Sequence, residues 1–207
     1  MKKVMLSCGL VLFMTATTTA APSLQGSTGL INTQSADVLQ EGQFSLGLDH
    51  GREGSVQNVV VGIVPRLEMG VTGIHYHGVG NKTLLNAKYS LLSEEILIPG
   101  IAVGVEDAFN QNHRTEYAVV SKTLPFGFRI HGGGGNGRYH GAFAGIEKTI
   151  NPFGLLTGSN TFPATTLIAE YDGSTMNYGA RLSIMPGLKV EGGWRSHAAY
   201  YGINFTM

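Results

Sequence analysis

Apolar and polar residues alternate along most of this chain. In Thr83–Leu92, Leu85, Ala87, Tyr89 and Leu91 share one face, and Asn86, Lys88 and Ser90 share the other. Ile101, Val103 and Val105 oppose Ala102, Gly104 and Glu106. Met176, Tyr178, Ala180, Leu182 and Ile184 oppose Asn177, Gly179, Arg181 and Ser183, and Leu188, Val190, Gly192 and Trp194 oppose Lys189, Glu191, Gly193 and Arg195. Strand side chains alternate between faces, so each stretch predicts a strand with one apolar face and one polar or small face. Helix-period stripes are scarce.

Proline sets the long period. Pro65, Pro99, Pro125, Pro152 and Pro186 recur at hairpin spacing, and proline belongs at strand boundaries because it cannot donate to a ladder. Between them lie Gly/Asn/His/Ser connections at 50–55, 78–82, 109–113, 133–138, 172–175 and 196–198. The pattern predicts about twelve strands, within a range of 10 to 14: 43–49, 56–64, 67–77, 83–92, 100–107, 114–123, 126–134, 138–149, 164–171, 176–185, 187–195 and 199–207. The connection 150–163 is long for this scheme and leaves room for an extra element.

A soluble β-sandwich alternates in the same way, so the strands alone do not decide the class. Aromatic residues near strand ends do more: Tyr89, Tyr117, Phe126, Phe128, Tyr171, Tyr178, Trp194 and Phe205 read as interfacial girdles on the apolar face. The chain also ends in strand pattern, with Tyr201, Ile203, Phe205 and Met207 as one apolar row. The predicted fold class is all-β, a transmembrane antiparallel barrel of 43–207 whose last strand pairs with its first, because a barrel in lipid leaves no edge. The proline turns then share the periplasmic end with both termini. Gly202, Phe205 and Met207 resemble the C-terminal targeting signal of outer-membrane proteins, with Met207 where Phe is usual.

The N-terminus reads as a signal peptide over residues 1–21: Lys2 and Lys3, an apolar run from Val4 to Met14, then small residues to Ala21. That run is too short to span a bilayer. Its removal takes the formal charge from 0 to −2, which argues against a nucleic-acid partner, and it removes Cys8, the one cysteine. Residues 22–42 form a lead or plug segment able to enter the lumen. Glycine, 30 of 207 residues, is about twice as frequent as the roughly 7% average and lightens the inner face.

Charge on a lipid face costs about 2–4 kcal/mol for Arg or Lys at the bilayer midplane. Lys88, Glu106, Glu116, Lys122, Arg129, Glu170, Arg181, Lys189, Glu191 and Arg195 are therefore expected to line the lumen and pair. Such pairs serve either a packed lumen or a conducting one. Twelve strands lie between the roughly 8 that side chains fill and the roughly 16 that leave an aqueous channel.

All seven histidines fall toward the outer end on this topology. His75, His77, His131 and His140 are the outer-rim candidates for a pH-sensing or metal-binding cluster, against the plainer reading of a wet polar rim. No metal or other cofactor is assigned. A G-x-G-x-x-G match at Gly132, Gly134 and Gly137 needs a following helix, but a strand follows, so it reads as a hairpin tip. G-x-S-x-G is absent, and Glu106, Asp107 and His113 are able to converge at a rim but no spacing requires it, so no catalytic residue is assigned.

The stretch Leu24–Asp49, LQGSTGLINTQSADVLQEGQFSLGLD, resembles the opening of the YjbH-type exopolysaccharide-associated outer-membrane proteins. Similar phrases recur as LEMGVTG from Leu67, PGIAVGVEDA from Pro99, YAVVSKTLP from Tyr117, FAGIEKT from Phe143, LIAEYDG from Leu167 and NYGARL from Asn177. The resemblance implies a multi-pass β-barrel of the cell outer membrane tied to making or exporting a secreted polysaccharide. Typical members are several times longer, and this chain resembles one barrel unit of them. The expected partners are outer-membrane lipid, the barrel-assembly machinery and polysaccharide export components. A small-solute pore and a rim hydrolase of lipid or polysaccharide are the alternatives.

Overall fold

The computed structural model describes residues 21–78, 80–151 and 164–207. The expected signal peptide, apart from Ala21, and most of the long 150–163 connection lie outside the described residues. Twelve described strands follow in order: β1 (Phe44–Gly51), β2 (Gly54–Val64), β3 (Leu67–Tyr76), β4 (Gly80–Leu92), β5 (Gly100–Glu106), β6 (Thr115–Thr123), β7 (Phe128–Gly135), β8 (Gly141–Ile150), β9 (Ala164–Tyr171), β10 (Met176–Met185), β11 (Leu188–Arg195) and β12 (Ala198–Thr206). Each pairs antiparallel with its chain neighbours, and β12 pairs with β1 from Ser45 opposite Thr206 to Gly51 opposite Tyr200. The barrel is closed and has no edge.

Alternation divides the wall as the sequence predicts. On β4, Leu84, Asn86, Lys88 and Ser90 are buried inward, whereas Tyr89 and Leu91 are exposed on the outer face. The closing strand presents Tyr201, Ile203, Phe205 and Met207 outward. Outward Leu46, Leu48, Val59, Val71, Val103, Val120, Ile130, Ile146 and Leu167 extend this into an apolar belt. Tyr117 departs from the predicted girdle. It is buried in the lumen, because Thr115, Tyr117, Val119 and Ser121 form the inward row of β6. Two predicted strand starts also move. Residues 125–127 and 137–139 form single 3-10 turns, so β7 begins at Phe128 and β8 at Gly141.

The lumen is filled by the chain itself. Residues 21–39 fold inside the barrel as a compact plug tied by short bridges, Pro22 with Thr28 and Gly29 with Gln34. Leu24, Leu30 and Ile31 pack with wall residues Ile168 and Tyr200, and Ala36 packs with Ala102, Tyr117, Val119, Tyr139 and Phe143. Burying each large aliphatic side chain contributes about 1.5–3 kcal/mol. Inner-face glycines supply the seats: a Cβ on Gly145 would lie 2.6 Å from Leu30 Cδ2, and one on Gly179 3.0 Å from Ile31 Cδ1.

The plug leaves the lumen against β2. Gly42 N–H donates to the Gly62 carbonyl and Gly62 N–H to the Gln43 carbonyl, each at 2.9 Å. A Cβ on Gly62 would stand 2.0 Å from the Gln40 carbonyl oxygen. Gly62→Ala must displace backbone, and it is expected to lower stability by about 1–3 kcal/mol, the range for overpacking. The urea midpoint of the protein in lipid vesicles reads this. A midpoint equal to the parent's would show that the 39–40 backbone moves freely.

Candidate functional site

The inward charges of the wall meet the plug backbone rather than each other alone. Glu170 on β9 is 1% exposed. Its carboxylate accepts from the successive amides of Ile31 (3.1 Å), Asn32 (2.6 Å) and Thr33 (3.1 Å), from Thr33 Oγ1 at 2.8 Å and from Asn177 Nδ2 at 3.0 Å. Consecutive amides turned to one point make an anion-binding concavity, and the wall fills this one with its own carboxylate. Arg181 on β10 donates to the carbonyls of Gly29 (3.1 Å) and Leu30 (2.8 Å) while its Nε holds Glu191 of β11 at 2.6 Å.

Across the lumen, Glu68 on β3 accepts from the Thr28 amide (2.8 Å), Thr28 Oγ1 (2.6 Å) and the Leu39 amide (2.9 Å). Lys88 on β4 pairs with Glu68 at 3.1 Å and donates to the carbonyls of Thr28 and Ser35. Both side chains of this pair are fully buried. Glu106 on β5 takes Gln34 Nε2 at 2.6 Å and Arg138 Nε at 2.5 Å, and Arg138 also reaches the Asn32 carbonyl. Arg195 on β11 holds Asn32 Oδ1 at 2.6 Å. Wall carboxylates thus meet plug N–H groups, and wall cations meet plug carbonyls. The plug's backbone is satisfied without regular secondary structure, as buried polar groups require.

At the end carrying β1's start and β12's finish, Arg129 of β7 latches the plug. It donates to both oxygens of Asp37, at 2.5 and 2.8 Å, and to Glu94 of the β4–β5 turn at 2.8 Å. Burial alone would raise the Asp37 pKa, but the Arg129 hydrogen bonds and charge, with the charge of Lys88, outweigh it and hold the group at about 2, below its ordinary 3.8. A carboxyl depressed on folding contributes stability that is fully present above its unfolded pKa and fades as pH falls through the folded one. Stability is therefore expected to decline between about pH 4 and pH 2. Asp37→Asn should flatten that part of the curve. An unchanged pH profile of the urea midpoint in the variant would show that Asp37 does not carry it.

The structure places Lys88, Glu106, Arg129, Glu170, Arg181, Lys189, Glu191 and Arg195 on inward rows. Glu116 and Lys122 are corrections. They alternate with the inward Thr115, Tyr117, Val119 and Ser121, so parity turns both outward. Glu116 pairs with Arg114 at 2.6 Å on the far rim, and Lys122 donates to the carbonyls of Glu95, Ile96 and Ile98 in the β4–β5 turn. Each sits at a strand end, where an outward charge escapes the apolar belt. Sequence reasoning missed Glu68, Arg138 and Asp37. Glu68 follows from the parity of β3, but Arg138 and Asp37 lie off the strands and carry no periodic signal.

The histidines do not gather as one set. His131 is the correction: it is buried inward in mid-strand, with Nδ1 2.8 Å from Ser121 Oγ and Nε2 3.4 Å from Glu147. His140 caps the turn between β7 and β8, apart from the β3–β4 hairpin. His75 and His77 meet edge-on with ring centroids 6.3 Å apart, and His50 lies 6.2 Å from His77. Among the described residues no three His, Cys, Asp or Glu side chains are placed to hold a metal ion. Glu106, Asp107 and His113 do line one cavity, but the carboxylates are engaged, Asp107 by the amides of Gln111 and Asn112.

Comparison with known proteins places this geometry. Among solved structures, the barrel is similar to the KdgM porin in complex with disordered oligogalacturonate (TM-score 0.55, 12% identity, 79% of this chain and 97% of that chain). It is similar also to the KdgM porin alone (TM-score 0.54, 14% identity, 79% and 97%). At such identity the likeness is one of fold, that of outer-membrane porins. No curated protein matches the chain. The family model described as exopolysaccharide biosynthesis protein matches residues 22–154, which takes in the plug and the wall from β1 to β8, and the chain belongs to this YjbH family.

Proposed function

We propose that this chain is a non-enzymatic outer-membrane barrel serving exopolysaccharide production or export, with its lumen closed by its own N-terminal segment after removal of a signal peptide. The observation that carries the reading is the plug. Glu68, Lys88, Glu170 and Arg181 of the wall bind its backbone, Glu106, Arg129 and Arg195 bind its side chains, and the family match includes that segment together with the wall. Such a barrel acts through its surfaces and its mouths rather than as a standing pore. Membrane lipid is the partner of the apolar belt, and the barrel-assembly machinery reads the closing strand with Gly202, Phe205 and Met207. Polysaccharide export components are the third class of partner.

Disrupting the gene is expected to lower secreted polysaccharide, and the full chain supplied in trans should restore it. The restored protein should be recovered in the outer membrane as a band that shifts on boiling. Unchanged polysaccharide in the disrupted strain would overturn the role. A soluble protein without the shift would overturn the location.

A second reading is a small-solute pore. The fold shared with the KdgM porins favours it. It requires the plug to leave the lumen.

A further inference from the structure

Two cavities adjoin at the mouth farthest from the termini. The first, of about 160 Å³, lies between Leu24 and Gln25 of the plug and the ends of β1, β2, β3 and β12. The second, of about 190 Å³, lies over Asn32 beneath the turns after β5, β7 and β9. Gln25 and Arg195 line both, so the cavities form one trough with a shared divider, and the plug is its floor.

The first cavity has the makings of a built site. Leu24, Val56, Ile74 and Tyr76 give it an apolar side. Asp49 lines it too and is 6% exposed, with its Oδ1 lying over Gly202 of β12. Arg195, fixed through Nε to Asn32, adds directional donors at the divider. Carboxylate, guanidinium and amide beside an apolar wall suit a ring that bears hydroxyls on its edge and C–H groups on its face. The second cavity is lined by polar side chains apart from Leu84 and is prearranged: Glu106 holds Arg138, and Asp172 is braced by Asn32, Ser174 and Thr175.

The charge balance selects among sugars. Asp49, Glu53, Glu106, Asp107 and Asp172 face the trough against Arg52, Arg138 and Arg195, with His50 and His113 at its edges. Leaving aside Asp49, which lies beside Glu191, four carboxylates against three guanidinium groups still disfavour an acidic polymer. We propose that the trough binds two consecutive uncharged sugar units of a glycan and rejects polyuronates. This rests on the reading of the chain as a polysaccharide-associated barrel and supplies its substrate class.

The test is calorimetric titration of the full chain, purified in detergent, with gluco-, manno- and galacto-tetraoses and with tetragalacturonate. At least one neutral tetraose should bind with a millimolar or tighter Kd, and tetragalacturonate about tenfold more weakly or not at all. Ala198→Phe, which fills the first cavity from its rim, and Asp49→Ala should each weaken neutral binding by about tenfold while the boil-shifted band is kept. No binding by any neutral probe, tightest binding by tetragalacturonate, or neutral binding unchanged in Ala198→Phe would each overturn the site. A disrupted strain that loses secreted polysaccharide, paired with a protein that binds none of the probes, would keep the functional reading and remove this one.

Discussion

Deleting residues 22–36 is expected to turn a silent barrel into a conducting one. In planar bilayers the full chain should hold the baseline, and the deleted chain should show discrete current steps. The wall does not need the plug to close, since every strand pair from β1–β2 round to β12–β1 is made by wall residues alone. What the deletion uncovers is a ring of charge: Glu68, Lys88, Glu106, Glu170 and Arg181, each now facing water instead of the plug. Rehydrated charges favour a wet lumen. Glycine at 145 and 179, which seats Leu30 and Ile31 in the intact protein, adds width. Twelve strands stand above the roughly 8 whose interior side chains alone can fill. The boil-shift gel shows whether the deleted chain has folded, and a second variant guards against its failure. Arg129→Ala with Asp37→Ala keeps the whole chain and removes the latch at the near end, so it should show intermittent steps. Folded protein that stays silent in both variants would mean that the wall collapses on itself, and the pore reading would fall.

The wall was legible in the sequence because a strand's period is short and strict. Parity alone assigns Asn86 and Lys88 inward and Leu85 and Ala87 outward, and the proline spacing places the near-end turns. Parity also contained the correction to Glu116 and Lys122. Both follow Thr115 and Ser121 by one residue, and reading their charge ahead of their position turned them the wrong way. Tyr117 went astray for a like reason, since an aromatic near a strand end was read as interfacial when its row packs on Tyr139. The plug was legible only as a segment. It has no period, so nothing in its sequence says that Ile31, Asn32 and Thr33 turn their amides to a residue 137 to 139 positions away. Contacts of that kind are fixed by closure of the wall around the segment, and they appear only once the barrel exists. The Asp37–Arg129 latch, spanning 92 residues, is hidden in the same way.

Glu170→Ala should be the most damaging single substitution in the lumen. The side chain is 1% exposed and accepts five hydrogen bonds, four of them from the plug. Alanine leaves three consecutive amides and a hydroxyl of the plug without the acceptor they share. Each buried donor left without an acceptor costs about 1–3 kcal/mol, and water entering the gap recovers part of this. The net loss is expected to be on the order of 3–5 kcal/mol, the range for breaking a buried charged interaction from one side. Because the wall's ladder is independent of Glu170, the loss should appear first as release of the plug. Limited proteolysis of vesicle-embedded protein would then cut within residues 22–36 while the barrel stays protected, and current steps should appear as in the deletion. Glu170→Gln separates charge from shape. Glutamine keeps one acceptor oxygen but turns an amide group toward amide donors, so it should fall between the parent and alanine. A glutamine variant with the parent's protease resistance would show that the carboxylate charge contributes little. An alanine variant with that resistance would show that the plug is held by its apolar anchors Leu24, Leu30 and Ile31, with the amide concavity secondary.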